Sequence, residues 1–314
     1  MSSCSEDDLS TSQLDIANRD SIISYLERNN LLDLTTQDRS GIFYQNLVTS
    51  GGESYSAGDV LEIYYQASVL EGRTFDSHSP SNGDPIKVLF NSRAVFPLGI
   101  DVALSLMRVG DSTIFYIPAA QAFFGESNLS VSDSSIITLS IKVVSKQTET
   151  EILALQKSQI ETMITDNDLN NTVAFPVDPF NEFKTGIYYK RTTVGVQNER
   201  ANDRDSVSLS FSAYKLENFP RGGAFQTVNQ FIYQHNTGVL FSGLEASIRQ
   251  MEFGERATFI YTSSNSYGGS VFALPTADLA VLVEEKVIPE YATRISPYEV
   301  LVFNVELSRP PINP

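Results

Sequence analysis

The chain has no tryptophan, one cysteine (Cys4), two histidines (His78 and His235) and no run of about 18 apolar residues. Each shortage removes a class of function. A single cysteine leaves no intrachain disulfide. A structural zinc normally takes four Cys or His ligands, and one cysteine with two histidines falls short, so no metal site is expected. A Ser-His-Asp triad needs a histidine beside a nucleophile, but no G-x-S-x-G elbow is present, and both histidines read as loop residues. Without a long apolar run, no segment is expected to cross a bilayer as a helix. Basic residues are scarce too, with 22 Lys and Arg against 38 Asp and Glu and a formal net charge of −16. Nucleic-acid phosphates are held by clustered Lys and Arg, and no such cluster stands in the sequence. No nucleic-acid partner is expected; the acidity favours solubility.

What remains is ample for folding. Its 314 residues, 41% hydrophobic and 19% charged, suffice for two domains of ordinary size with their own cores. The first residues, MSSCSEDDLSTSQ, leave two readings open. A lone cysteine after two small residues, followed by Glu6, Asp7 and Asp8, resembles the lipidated cysteine and export tag of bacterial surface lipoproteins. That reading attaches a lipid to Cys4 and makes it the membrane contact. The apolar core of a signal peptide is missing, and the other reading is a polar, flexible tail over 1–19.

Self-similarity organises the rest. DSIISYLERNNL with RSGIFYQN returns as SQIETMITDNDL with KTGIYYKR. GDVLEIYYQASVLEGRTFDS returns as RDSVSLSFSAYKLENFPRGGAFQT, and LGIDVALSLMRVGDSTIFYI as SGLEASIRQMEFGERATFIY. Landmarks keep a near-constant offset: 145 from Gly41 to Gly186, 146 from Asp59 to Asp205, 144 from Met107 to Met251 and 143 from Gly125 to Gly268. The chain therefore reads as a duplication. A tail (1–19) and a helical spacer (20–40) precede a first unit (41–146). A helical linker (147–184) then leads to a second unit (185–314) with an insertion at 269–288.

Each unit starts with an amphipathic helix, marked by Ile22, Ile23 and Leu26 in one copy and Ile160, Met163 and Ile164 in the other. Leu61, Ile63 and Tyr65, and again Val207, Leu209 and Phe211, alternate with polar residues as strands do. One short helix, DVALSLM or EASIRQM, is followed by a Gly turn and two strands. Many strands around one short helix predict an α+β fold, two curved antiparallel sheets each wrapped on a helix.

The ordered pattern of G-D-V, G-R-T-F-D-S, a glycine-led helix ending in Met, Y-G and a closing L-V-F-N-V-E-L resembles the FKBP-type peptidyl-prolyl cis-trans isomerases. The resemblance implies tandem units of that family, with rotamase activity on proline-containing peptides or unfolded exported proteins. With the Cys4 reading it implies a lipoprotein of the bacterial cell envelope, anchored to the outer membrane on its periplasmic or surface side. The chemistry needs no nucleophile, metal or cofactor. The barrier to turning an Xaa-Pro amide, near ~20 kcal/mol, comes from resonance. A dry aromatic pocket favours the twisted amide, which has less charge separation. Each ~1.4 kcal/mol gained is tenfold in rate.

By the same resemblance, the first site comprises Tyr65, Phe75, Asp76, Phe96, Ile100, Phe124 and Leu139. Ile100 stands where the family has a floor tryptophan, and Phe124 where it has a tyrosine hydroxyl. The second comprises Phe211, Phe225, Leu240, Phe241, Leu244, Tyr267 and Phe303, with Gln226 in place of the acid and Leu244 in place of the tryptophan. Aromatics alternating on strands also fit an ordinary core, and adjacent Tyr64 and Tyr65 must face opposite sides. Gly125 to Leu139 spans 14 positions but Gly268 to Phe303 spans 35, so the second copy carries 21 extra. Thr276 N-caps an expected helix there, running to about Lys286, and the insertion is expected to flap over or plug the second site. The incomplete polar sets leave an enzyme, a non-catalytic binding or chaperone module, and a spacer with one degenerate unit all open.

Overall fold

In a computed structural model of the chain, the structure describes residues 11–91, 95–96, 99–123, 131–132, 134–167, 169, 171–174, 186–269, 271–272, 276–286 and 295–311. The alternating stretches become strands and the 3.6-period stretches helices. The first unit holds α1 (Thr11–Arg28), β1 (Thr36–Gln37), β2 (Phe43–Val48), β3 (Asp59–Val69), β4 (Thr74–His78), β5 (Ile86–Leu89) and β6 (Val95–Phe96). It continues with α2 (Gly99–Ser105), β7 (Ser112–Pro118), α3 (Ala119–Phe123) and β8 (Ile136–Thr148). The second unit begins with α4 (Glu149–Asp166), β9 (Val173–Ala174), β10 (Ile187–Thr193), β11 (Ser206–Lys215), β12 (Gln226–Gln234), α5 (Ser242–Gln250) and β13 (Arg256–Tyr261). After β13 come β14 (Val271–Phe272) and α6 (Thr276–Glu284), then β15 (Leu301–Ser308), which closes the second sheet.

Both large sheets are antiparallel, and their strand orders coincide. The first runs β1-β2-β7-β8-β3-β4, with β5 also on β3; the second, read from its far edge, runs β9-β10-β13-β15-β11-β12. The registers coincide as well. Leu139 lies opposite both Phe115 and Ala67, as Phe303 lies opposite Phe259 and Ala213. Asp76 lies opposite Ala67, as Gln226 lies opposite Ala213. A one-residue slip would turn every side chain to the other face, so matching registers carry the duplication from sequence into three dimensions.

The central helices carry equivalent glycines, Gly99 and Gly243, in their first turns for the same steric reason. A Cβ on Gly99 would stand 2.8 Å from the Cα of Ala122, and one on Gly243 would stand 2.2 Å from the carbonyl oxygen of Asn265. Only glycine lets the helix start approach backbone that closely.

The helices expected to be spacers are built into the units. α1 begins at Thr11, inside the stretch expected as a flexible tail, and Ile22 and Leu26 are fully buried with Phe43, Tyr116 and Ile136. α4, expected as a linker, buries Ile160 and Met163 against Ile260, Val300 and Val302 of the second unit. Its Gln156 donates to the Ser263 hydroxyl (3.0 Å) and the Tyr298 carbonyl (2.8 Å) and accepts from the Ser263 amide (3.0 Å). Losing it would strand buried polar groups at about 1–3 kcal/mol each.

The inserted segment departs from its expected place. By contacts, residues 1–148 and 270–293 form one unit, and 149–269 with 294–314 the other. The inserted helix does form from Thr276, but it packs in the first unit, not over the second site.

Candidate functional site

In the first unit, β3 and β4 place Tyr65 and Asp76 on one face. The Tyr65 hydroxyl donates to Asp76 Oδ2 at 2.6 Å, and the Ser77 amide donates to Oδ1 at 2.9 Å. Burial pushes the Asp76 carboxyl above the usual carboxylate range, and the hydrogen bonds from Tyr65 and Ser77, with nearby His78, pull it back only in part. Burial foremost, then the Asp76 charge and hydrogen bond, also raises the Tyr65 phenol, which stays protonated as a donor. Tyr64 faces the other way, stacked on His78 at 6.0 Å and donating to the Gly83 carbonyl at 3.1 Å. Strand pleating thus assigns Tyr65, not its neighbour, to the interior.

Tyr65, Ile100 and Leu139 are buried in one cluster with Val88, Phe90 and Phe115, and Phe75 packs against it half-buried. Phe96 lies on β6, whose backbone pairs with β14. Phe124 and Cys4 lie outside the described residues. One contributor carried no motif. Tyr55 sets its ring edge-on to Phe90 at 5.0 Å and donates to the Leu104 carbonyl at 2.6 Å, tying the loop before β3 to α2.

The second unit brings all seven of its sequence-selected residues to one cluster. Leu244 and Phe303 are buried in it, with Phe211, Phe225, Leu240, Phe241 and Tyr267 packed around them. Phe241 is the hub, edge-on to Tyr261 (5.1 Å), Tyr267 (5.0 Å) and Phe303 (5.3 Å); Phe211 leans on Phe303 at 5.5 Å. Tyr261, on the β13 alternation, was missed by motif reading. Its fully buried hydroxyl donates to the Ser247 hydroxyl (2.8 Å), which donates to the Gly243 carbonyl (2.8 Å), anchoring α5 beneath the aromatics. A groove of about 530 Å³ in this unit lies along Thr192, Ser210, Ser212, Thr258 and Asn304, and takes in only Phe211 of the seven.

Of the two histidines expected in loops, His78 lies at the end of a strand and His235 in a turn. His78 ends β4, with Nε2 2.7 Å from the Asp84 carbonyl. His235 is fully buried in the turn after β12, its Nδ1 3.2 Å from Glu245. Burial alone would raise the Glu245 carboxyl. His235, the Asn236 amide (3.0 Å) and the Tyr233 hydroxyl (3.2 Å) outweigh it and hold the group below its ordinary range. A depressed acid contributes stability above its unfolded value, about 4.3, that is lost as pH falls through the folded value. Melting curves from pH 7 to pH 3 should therefore show Glu245→Gln destabilised at neutral pH, with the gap to wild type closing on acidification. Parallel curves would show that this cluster carries no acid-linked stability. Among the described residues, no cluster of three or more metal-ligating side chains occurs.

These features define a class: an α+β chain with two antiparallel sheets of matching strand order, each folded on a short helix with a glycine in its first turn, over a cluster that includes aromatic side chains. Residues 51–144 match the family model of the FKBP-type peptidyl-prolyl cis-trans isomerases, and the chain carries a domain of that family there. The probable FKBP-type peptidyl-prolyl cis-trans isomerase FkpA of Neisseria meningitidis serogroup B is 29% identical over 107 residues, 34% of this chain and 38% of that protein. The match thus spans little more than a third of the relative's length. Among solved structures, FkpA from Escherichia coli is similar at 18% identity and a TM-score of 0.36, over 43% of this chain and 61% of that one. The three FKBP domains of wheat FKBP73 align at 15% identity and a TM-score of 0.32, over 86% and 95%.

Proposed function

We propose that the chain is a peptidyl-prolyl cis-trans isomerase that assists the folding of exported proteins, with proline-containing segments as substrates. The family match over 51–144, joined to the Tyr65–Asp76 pair standing over an apolar floor, carries this reading. An apolar surround favours the twisted amide over the resonance-stabilised planar one. A phenol locked by a carboxylate keeps its ring in one place, which preserves the shape of the wall. Phe75 closes one side of the site, and Ile100 with Leu139 forms the floor.

The second unit fits the role of a partner module. It sets an aromatic cluster around Phe241 and has Gln226 in the register of Asp76. That combination favours holding an apolar, proline-containing segment over turning it. The cell-envelope setting, with a lipid on Cys4 as outer-membrane anchor, rests on the sequence MSSCSEDD alone and belongs to the same proposal.

The test is cis-trans interconversion of a short Xaa-Phe-Pro peptide with the full chain. Acceleration proportional to protein concentration is expected. No acceleration, with binding of an unfolded protein retained, would overturn the enzymatic reading and leave a binding module.

A further inference from the structure

β6 has one described partner strand. Val271 and Phe272 of β14 lie parallel to it, opposite Val95 and Phe96. Three residues further on, α6 presents one face to the same unit. Asp278 is buried, Leu279 and Leu282 are half-buried against the cluster that holds Tyr65, Ile100 and Leu139, and Val281 and Glu284 are exposed. This three-to-four-residue spacing is that of an amphipathic helix docked by one stripe. In sequence, the segment interrupts the second unit between β13 and β15; in space, it belongs to the first. The second sheet's topology already matches the first without it.

We propose that the β6 edge and the adjoining apolar cluster of the first unit form a peptide-docking surface, and that β14 and α6 of the insertion are its resident ligand. The inference rests on the reading of the first unit as a peptide site. The segment uses two general modes of peptide capture at once, a strand added to a free edge and an amphipathic helix laid on apolar surface. An exposed strand edge invites pairing with any extended chain. Being tethered, the resident ligand has an effective concentration of roughly millimolar order, so a client binding with micromolar affinity competes poorly. The first unit is thereby self-occupied, and clients reach it by displacing the insertion.

The experiment compares the full chain with two variants: one with residues 270–286 replaced by a Gly-Ser linker, and Leu279→Asp with Leu282→Asp, which keeps the length. Binding of a labelled proline peptide is measured by anisotropy, and the share lost on Phe75→Ala is assigned to the first unit. The first unit should bind the peptide at least about tenfold more tightly in both variants. A synthetic 268–288 peptide added to the linker variant should bind and compete. Unchanged affinity in both folded variants, with no binding of the synthetic segment, would overturn the proposal. If the synthetic segment binds and the proline peptide binds none of the chains, the resident-ligand inference stands and the proline-site reading of the first unit falls.

Discussion

Asp76→Ala is expected to slow isomerisation of a proline peptide by the first unit by about 10- to 100-fold, a loss near 1.4–3 kcal/mol in the barrier. The carboxylate takes the Tyr65 hydroxyl at 2.6 Å and the Ser77 amide at 2.9 Å. Alanine would leave a largely buried phenol without its acceptor, at a cost to stability of about 1–3 kcal/mol. It would also release the ring from the position in which it walls the site. Asp76→Asn separates charge from shape. Its amide oxygen can take the Ser77 amide, and its NH2 can donate to Tyr65 if the hydroxyl turns to accept. Its rate should therefore fall between wild type and alanine. The rates are to be read on the full chain, and on the linker variant in which the insertion is absent. Equal rates for wild type and Asp76→Ala in both settings would remove Asp76 from the site.

Phe303→Ala is expected to destabilise the second unit by about 3–5 kcal/mol, the usual cost of emptying a buried phenylalanine site. Phe303 is 1% exposed and shares ring contacts with Phe211, Phe241 and Tyr261 at 5.3–5.8 Å. It stands on β15 between Phe259 and Ala213, so no strand can shift to fill the void without breaking register. The first unit has Leu139 at the same register, which supplies a control. Phe303→Leu keeps most of the volume and should cost less than about 1.5 kcal/mol. Urea unfolding at constant m-value measures both. Losses below about 1.5 kcal/mol for both variants would mean that packing at Phe303 does not hold this cluster, and an equally large loss for both would mean that the ring itself, not its volume, is needed.

Much of the fold was legible because it is written locally. Period-two runs such as Leu61, Ile63 and Tyr65 commit to strands wherever one face is buried. Two copies of the run, at an offset near 145, had to build the same sheet twice. The same alignment put Gln226 in the register of Asp76 and Phe303 in that of Leu139, because register follows from alternation once one face is apolar. Less was legible about helices at the edges. Ile22 and Ile160 announce an amphipathic helix, but amphipathicity names a buried face without naming what buries it. The docking of α1 on Phe43 and Tyr116, and of α4 through Gln156 on Ser263, is a matter of partners over a hundred residues away in the second case.

The sequence by itself determined the duplication, the α+β elements, the family resemblance and the residue types at each site. Those properties come from near-neighbour periodicity, turn glycines and side-chain chemistry, all carried within a few residues. Tertiary structure alone decided that the Tyr65 hydroxyl bonds directly to Asp76, that His235 is buried against Glu245, and that the insertion joins the first unit. A short apolar stripe such as Leu279 with Leu282 gains nearly the same burial energy on any complementary apolar surface. Its choice between two related units is set by which strand edge and which surface lie within its reach, and that information is held by the folded chain as a whole.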